Sequence, residues 1–109
     1  KSQAAAPKKK NFGFLVGQEG PLAGNRFEIG KGGLSIGRDP GKCKIVLAED
    51  IVSREHAIVE PSSDGKTIRV KNLSATNPTY INDRPITEAQ LTDGDRLRVG
   101  KSVFIYKSE

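Results

Sequence analysis

Two arginines, two hydroxyls and a carboxamide are the residues whose types and spacing could do chemistry in this chain. Gly37-Arg38 closes one apolar alternation, Ser53-Arg54-Glu55-His56 precedes another, and Thr76-Asn77-Pro78-Thr79-Tyr80-Ile81-Asn82 leads into a third. Arg38 and Arg54 offer guanidinium donors that bind phosphate oxygens through paired, charge-assisted hydrogen bonds. Ser53 and Thr76 offer hydroxyls to complete such a shell, and Asn77 offers an amide that can hold an extended backbone. The set suits a phosphate monoester carried on a peptide. Singly, each residue is ordinary: an Arg closing a strand is usually solvated, and a Ser before a strand is usually a turn former. Their joint order along the chain is what favours a binding site.

Other chemistries find less support. Gly24 to Lys31 and Gly94 to Ser102 each hold two glycines with a Lys after the second, but five residues separate the glycines where a phosphate-binding loop has four. Both segments also lie inside strand patterns, with no helix start to offer amide groups to a phosphate. Nucleophilic catalysis would need a base, and only His56 could serve; it is followed by Ala57-Ile58-Val59 and so starts a strand. Asp93 and Asp95 flank Gly94, and Glu49-Asp50 sit in a loop, which are ordinary places for solvated acids. One Cys (Cys43) and one His make no disulfide and too small a set for zinc. Cys43 reads most simply as a bystander, with a redox role as the minor alternative. No enzyme activity, metal or cofactor is expected.

The elements that must position the candidate residues are short. From Phe12 onward, brief apolar alternations are separated by Gly, Pro, Asn and Asp, the rhythm of an all-β sandwich. Strands are expected over Phe12 to Val16, Arg26 to Ile29, Leu34 to Ile36, Lys44 to Leu47, Thr79 to Ile81 and around Ile86. His56 to Glu60 and Thr67 to Lys71 form a hairpin closed by Ser62-Ser63-Asp64-Gly65, since Asp-Gly supplies the positive φ of a tight turn. Asp95 to Val99 and Ser102 to Tyr106 form another across Gly100-Lys101, with Leu97, Val99, Val103 and Ile105 toward the core. Only Thr87 to Leu91 could make a turn of helix. The 109 residues fit one domain, and with no Met or Trp its core must be built from Val, Ile, Leu and Ala.

The net charge of +5 would ordinarily raise nucleic acid as a partner. Four of the eighteen basic residues, however, are Lys1, Lys8, Lys9 and Lys10, which leaves fourteen basic against thirteen acidic residues from Asn11 on. Residues 1–11, KSQAAAPKKKN, carry no apolar period and read as a disordered basic tail or linker, with residues 12–109 as the domain. Nucleic acid therefore ranks last among partners. No run approaches the roughly 18 apolar residues of a membrane span, so no membrane association is expected, and the location is expected to be cytoplasmic, or nuclear in a eukaryote.

Gly37-Arg38, then Ser53-x-x-His56, then Asn77-x-Thr79 with Asn82 three residues on, resembles the forkhead-associated (FHA) domain family over about Phe12 to Lys107. The resemblance implies an antiparallel β-sandwich of about eleven short strands. Loops at one edge would bind phosphothreonine peptides, with neither catalysis nor a cofactor. Carried over by position, Arg38 would contact the phosphate, Ser53 would donate to a phosphate oxygen and Arg54 would add a backbone or guanidinium contact. Thr76 would lie beside the phosphate and the threonine methyl, and Asn77 would hold the peptide main chain. His56, Gly37 and Asn82 would shape or brace the loops. The implied function is phosphorylation-dependent protein–protein interaction in signalling, with a phosphothreonine protein or peptide supplied by another chain or by the rest of the full-length protein.

One departure stands out. The family usually has Gly after the ligand-binding Asn, where this chain has Pro78, which fixes φ near about −65° and pushes Asn77 toward extended geometry. The loop that carries Asn77 is accordingly expected to differ in shape from the family's usual turn. An alternative reading follows, in which an FHA-fold scaffold binds partners independently of phosphorylation. The Glu49-Asp50-Ile51-Val52 loop is placed to select the residue three positions beyond the phosphothreonine, with apolar or basic side chains expected over acidic ones.

Overall fold

The computed structural model describes residues 12–108. The basic tail over residues 1–11 lies outside them. Eleven strands are present among the described residues: β1 (Phe14–Glu19), β2 (Arg26–Glu28), β3 (Leu34–Gly37), β4 (Ile45–Val46), β5 (Ala57–Pro61), β6 (Ile68–Asn72), β7 (Thr79–Ile81), β8 (Arg84–Ile86), β9 (Glu88–Leu91), β10 (Arg96–Val99) and β11 (Ser102–Lys107). They form a five-stranded sheet in the order β9-β6-β5-β3-β4 and a six-stranded sheet in the order β2-β1-β11-β10-β7-β8.

Alternation of inward apolar and outward polar side chains sets the register of each sheet. In β5 and β6, Ala57, Val59, Ile68 and Val70 are buried, while Glu60 faces Arg69 across the ladder. Between the sheets, Leu15, Ile29, Ile36, Ile45, Leu47, Val59, Val70, Leu97, Val99 and Phe104 lose all contact with solvent in one continuous core. On the outer face of the larger sheet, Arg26 stacks over Phe14 at 4.2 Å and Arg98 over Tyr80 at 4.1 Å. These cationic stems cover aromatic surface that the core leaves outside.

The fold departs from the expected pattern at four places. The Thr87 to Leu91 segment forms no helical turn; β9 pairs antiparallel with β6, matching Ala89 to Val70 and Leu91 to Ile68. The fourth strand shrinks to Ile45–Val46 and runs parallel to β3, so the smaller sheet is mixed. The core face of β11 is Phe104 and Tyr106, with Val103 and Ile105 outside the core cluster. The two-residue Gly100-Lys101 turn pairs Val99 with Ser102 and hence Leu97 with Phe104, and directly opposed residues share a face. Four consecutive apolar residues, Val103 to Tyr106, had left that phase ambiguous. Finally, Glu49 is no solvated acid: it accepts the Lys101 N–H and the Ser102 hydroxyl, each at 2.8 Å.

Candidate functional site

Three loops converge at one end of the sandwich. Residues 38–44 follow β3, residues 47–56 lead into β5, and residues 73–78 join β6 to β7. Each is shaped locally before it meets the others. In the first, Asp39-Pro40-Gly41 forms a turn closed by the Asp39 carboxylate, which accepts the Gly41 N–H at 2.8 Å, and by the Asp39 carbonyl, which accepts from Lys42 and Cys43. In the second, Glu49 anchors the loop to the β10–β11 hairpin. Gly100 permits this contact, because at its φ of 61° an added Cβ would lie 2.6 Å from Glu49 Oε1.

Gly37 joins the first two loops. A Cβ there would sit 2.2 Å from the Arg54 carbonyl oxygen and 2.8 Å from Cys43 Sγ, so only glycine allows the 53–56 backbone to lie against the end of β3. The contact is then stitched: Arg38 N–H donates to Ser53 O at 3.0 Å, Asp39 N–H to Arg54 O at 3.2 Å, and the buried Cys43 thiol to Arg54 O at 3.1 Å. Burial pushes the Cys43 thiol up, which keeps it protonated as a donor. Arg38 Nε donates to Val52 O at 2.8 Å. That bond fixes the exposed guanidinium at its root and leaves the four N–H groups of Nη1 and Nη2 for a ligand.

His56 is fully buried behind the site. Its Nδ1 accepts the Ser53 N–H at 3.1 Å and its Nε2 lies 3.5 Å from Pro78 O, while its own backbone bonds Ile36 O and the Leu73 N–H. Burial holds the ring below its ordinary pKa, against the upward pull of the Pro78 and Asn77 carbonyls and of Glu49. A neutral ring accepting at Nδ1 carries its proton on Nε2, so one imidazole reaches from the Ser53 loop toward the Pro78 carbonyl.

The third loop is organised by residues that sequence reasoning missed. Asn72 donates from Nδ2 to Ser74 O at 2.9 Å and accepts at Oδ1 from the Ser74 N–H at 3.3 Å and the Thr79 hydroxyl at 2.9 Å. Ser74 Oγ accepts the N–H groups of Thr76 and Asn77, and lies 2.7 Å from Ser53 Oγ. An Asn at a strand end with a Ser two residues on is a pattern for such side-chain-closed turns. Its presence at Asn72-Leu73-Ser74 was the available signal. Asn77 Nδ2 donates to Ile51 O at 2.9 Å, tying the second loop to the third, and Asn77 has no positive φ. Thus Pro78 is accommodated by an Asn77 directed at the neighbouring loop.

Arg38, Ser53, Arg54, Thr76 and Asn77 therefore belong to one bonded cluster of loops, with Gly37 and His56 beneath it. Asn82 does not. It sits at the far end of β7 in a two-residue hairpin turn with Asp83, both at positive φ (51° and 68°), where Nδ2 donates to Asp95 and Oδ1 accepts the Arg96 N–H. Of the segment Glu49-Asp50-Ile51-Val52, expected to select a neighbouring peptide residue, Glu49 is tied down and Val52 is buried, so only Asp50 and Ile51 are exposed. The cavity lined by Phe12, Lys31, Pro61 and residues 62–65 borders the β5–β6 turn and includes none of these residues.

An all-β sandwich whose hydroxyl and guanidinium groups gather on loops at one end defines a binding module, with function carried by the loops and not by the sheets. A family model described as FHA domain matches residues 34–100, and this chain belongs to the FHA-domain family, whose members are protein-interaction modules. Among its relatives, the glycogen accumulation regulator GarA of Mycolicibacterium smegmatis is 36% identical over 93 residues, covering 85% of this chain and 57% of that protein. The oxoglutarate dehydrogenase inhibitor of Corynebacterium jeikeium is 34% identical over 93 residues, covering 85% and 62%. The chain thus spans somewhat more than half the length of these relatives. A domain solved in a structural and functional analysis of phosphothreonine-dependent FHA domain interactions superposes with a TM-score of 0.76 at 30% identity, covering 88% of this chain and 95% of that one. The FhaA FHA domain, solved in complex with the intracellular domain of a second protein, gives 0.75 at 31%, covering 86% and 98%.

Proposed function

We propose that this chain is a phosphothreonine-peptide binding module that mediates phosphorylation-dependent protein–protein interaction in signalling, and that Arg38, Ser53, Arg54, Thr76 and Asn77 carry the recognition. The observation that supports it most is the loop cluster itself. An anchored guanidinium with four open N–H groups stands in the same bonded network as two hydroxyls and a carboxamide, within a chain 30% identical to a domain studied for phosphothreonine-dependent interaction. Phosphate oxygens only accept hydrogen bonds, and Arg38, Ser53 and Thr76 can all donate. The ligand is a phosphothreonine segment of another protein or of the remainder of the full-length chain.

Calorimetric titration of one peptide in three forms tests the reading. The phosphothreonine form binds, the phosphoserine form binds more weakly, and the unmodified form is at least about 100-fold weaker than the first, as loss of several charge-assisted bonds requires. Arg38→Ala removes roughly 2 to 4 kcal/mol of that affinity, the lower part of the range for buried charge pairs because the site is open to solvent. Undiminished binding by Arg38→Ala would sink the assignment.

A second reading draws on Asn77, whose amide is already engaged with Ile51 O. If that bond persists in the complex, peptide main-chain recognition is weakened, and the domain is a scaffold that binds partners regardless of phosphorylation. Equal affinity for the phosphorylated and unmodified peptides is its signature.

A further inference from the structure

Ser74 occupies the centre of the 73–78 loop, and counting its hydrogen bonds assigns a direction to its neighbour's proton. A serine hydroxyl has one proton and two lone pairs. Both lone pairs of Ser74 Oγ are taken, by the Thr76 N–H at 3.3 Å and the Asn77 N–H at 3.2 Å. Its remaining capacity is its own proton. Two acceptors compete for it: Ser53 Oγ at 2.7 Å, an ordinary O–H···O distance, and Thr76 Oγ1 at 3.4 Å, which is long. Ser53 wins on distance. Ser53 Oγ is then an acceptor toward the protein, and its proton has no partner left inside the loop network.

We infer that Ser74 is a positioning residue for ligand recognition: it donates to Ser53 Oγ and so commits the Ser53 proton to an acceptor-only ligand oxygen, that of a phosphate. The inference rests on the phosphopeptide reading and assigns Ser74 a part in it. Ser74 never needs to touch the ligand. It is itself held at both backbone groups by Asn72, whose Oδ1 also takes the Thr79 hydroxyl, so the orientation of Ser53 is set from the end of β6. A hydroxyl oriented before binding loses no freedom when the phosphate arrives.

A double-mutant cycle separates this role from simple bracing of the loop. A synthetic phosphothreonine peptide, selected from an oriented library by the unaltered protein, is titrated into that protein, Ser53→Ala, Ser74→Ala and the double variant. Ser53→Ala should weaken binding by about tenfold or more. Ser74→Ala should weaken it about sixfold in the presence of Ser53 and less than twofold once Ser53 is Ala. Ser74→Thr, which keeps the hydroxyl, should stay within about twofold of the unaltered protein. Thermal unfolding establishes that each variant is folded at the titration temperature; if Ser74→Ala is not, Ser74→Cys replaces it, since a thiol keeps the volume and is a poor donor and acceptor. A Ser74→Ala loss that persists at twofold or more in the Ser53→Ala background overturns the inference, as does no loss at all. Unchanged affinity in Ser53→Ala also overturns it. In any of these cases, phosphate-dependent binding that is still abolished by Arg38→Ala leaves the phosphopeptide reading standing.

Discussion

At the scale of single residues, the site depends on a few side chains whose work is directed at other protein groups. His56 touches no candidate ligand, yet its ring reaches Ser53 N and Pro78 O together. Because burial lowers its pKa from the ordinary 6.5, the unfolded chain binds more protons than the folded one as pH falls below that value. Stability present above about pH 6.5 is therefore lost progressively on acidification toward the folded-state pKa. Asp64, Asp93 and Asp95 contribute in a different window. Burial raises Asp95 but the Thr92 and Asn82 hydrogen bonds outweigh it; Asp64 and Asp93 are lowered by bonds from Ser62 and Lys66 and from Ser108. Carboxylates held low lose their contribution only near and below the ordinary 3.8. Thermal unfolding from about pH 7.5 to about pH 5 should thus show a falling melting temperature in the unaltered protein and a flatter profile in His56→Asn, which starts less stable. Parallel profiles would show that His56 does not set the slope.

Individual elements differ in whether they build the site or close the fold. The β7–β8 turn closes the fold, although its Asn82 was expected to serve the loops. Asn and Asp at positive φ match the left-handed turn that a two-residue hairpin needs, and the Asn82 side chain clasps Asp95 and the Arg96 backbone. Asn82→Ala should cost about 1 to 2 kcal/mol of stability through the left-handed conformation and the lost bonds, while phosphopeptide affinity stays within about twofold. A larger loss of affinity, measured where the variant is fully folded, would place this hairpin in the site. The β10–β11 hairpin plays the opposite part. It was expected as a core element only, yet it carries Lys101 and Ser102 to Glu49 and so holds the 47–56 loop in place. The two hairpins thus serve different ends, and what gives the second its part in the site is a contact between residues about fifty positions apart.

Over the whole molecule, charge is the property that misleads when summed. Four of the basic residues lie in the first ten positions, and from Asn11 on the chain is nearly neutral. We propose that the domain begins at about Phe12, and deletion of residues 1–10 should leave phosphopeptide affinity unchanged within about twofold. Binding should weaken only mildly with salt, since one phosphate is engaged and no polyanion is neutralised. A steep salt dependence that disappears with the tail would mark the lysines as the ligand-binding part. Affinity should also fall as pH approaches about 6, where the phosphate loses its second charge.

The strands were readable because alternation, Gly and Asp-Gly turns and branched side chains act locally, within a few residues. Arg38, Ser53, Arg54, Thr76 and Asn77 were legible as a set because their types match one ligand chemistry. Where four apolar residues run together in β11, or where β9 has an apolar residue at every other position but no turn signal to mark its start, local pattern has no unique solution and pairing decides. The sequence by itself determined an all-β chain with a polar, phosphate-competent inventory at its loops. Only the tertiary structure decided that Gly37 admits the Arg54 backbone, that Glu49 is an anchor, that Asn77 reaches Ile51 and that Ser74 stands behind Ser53. The reason is physical: each of these is a contact of a few ångströms between loops far apart in the chain, and direction and proximity of that kind exist only once the sheets have packed.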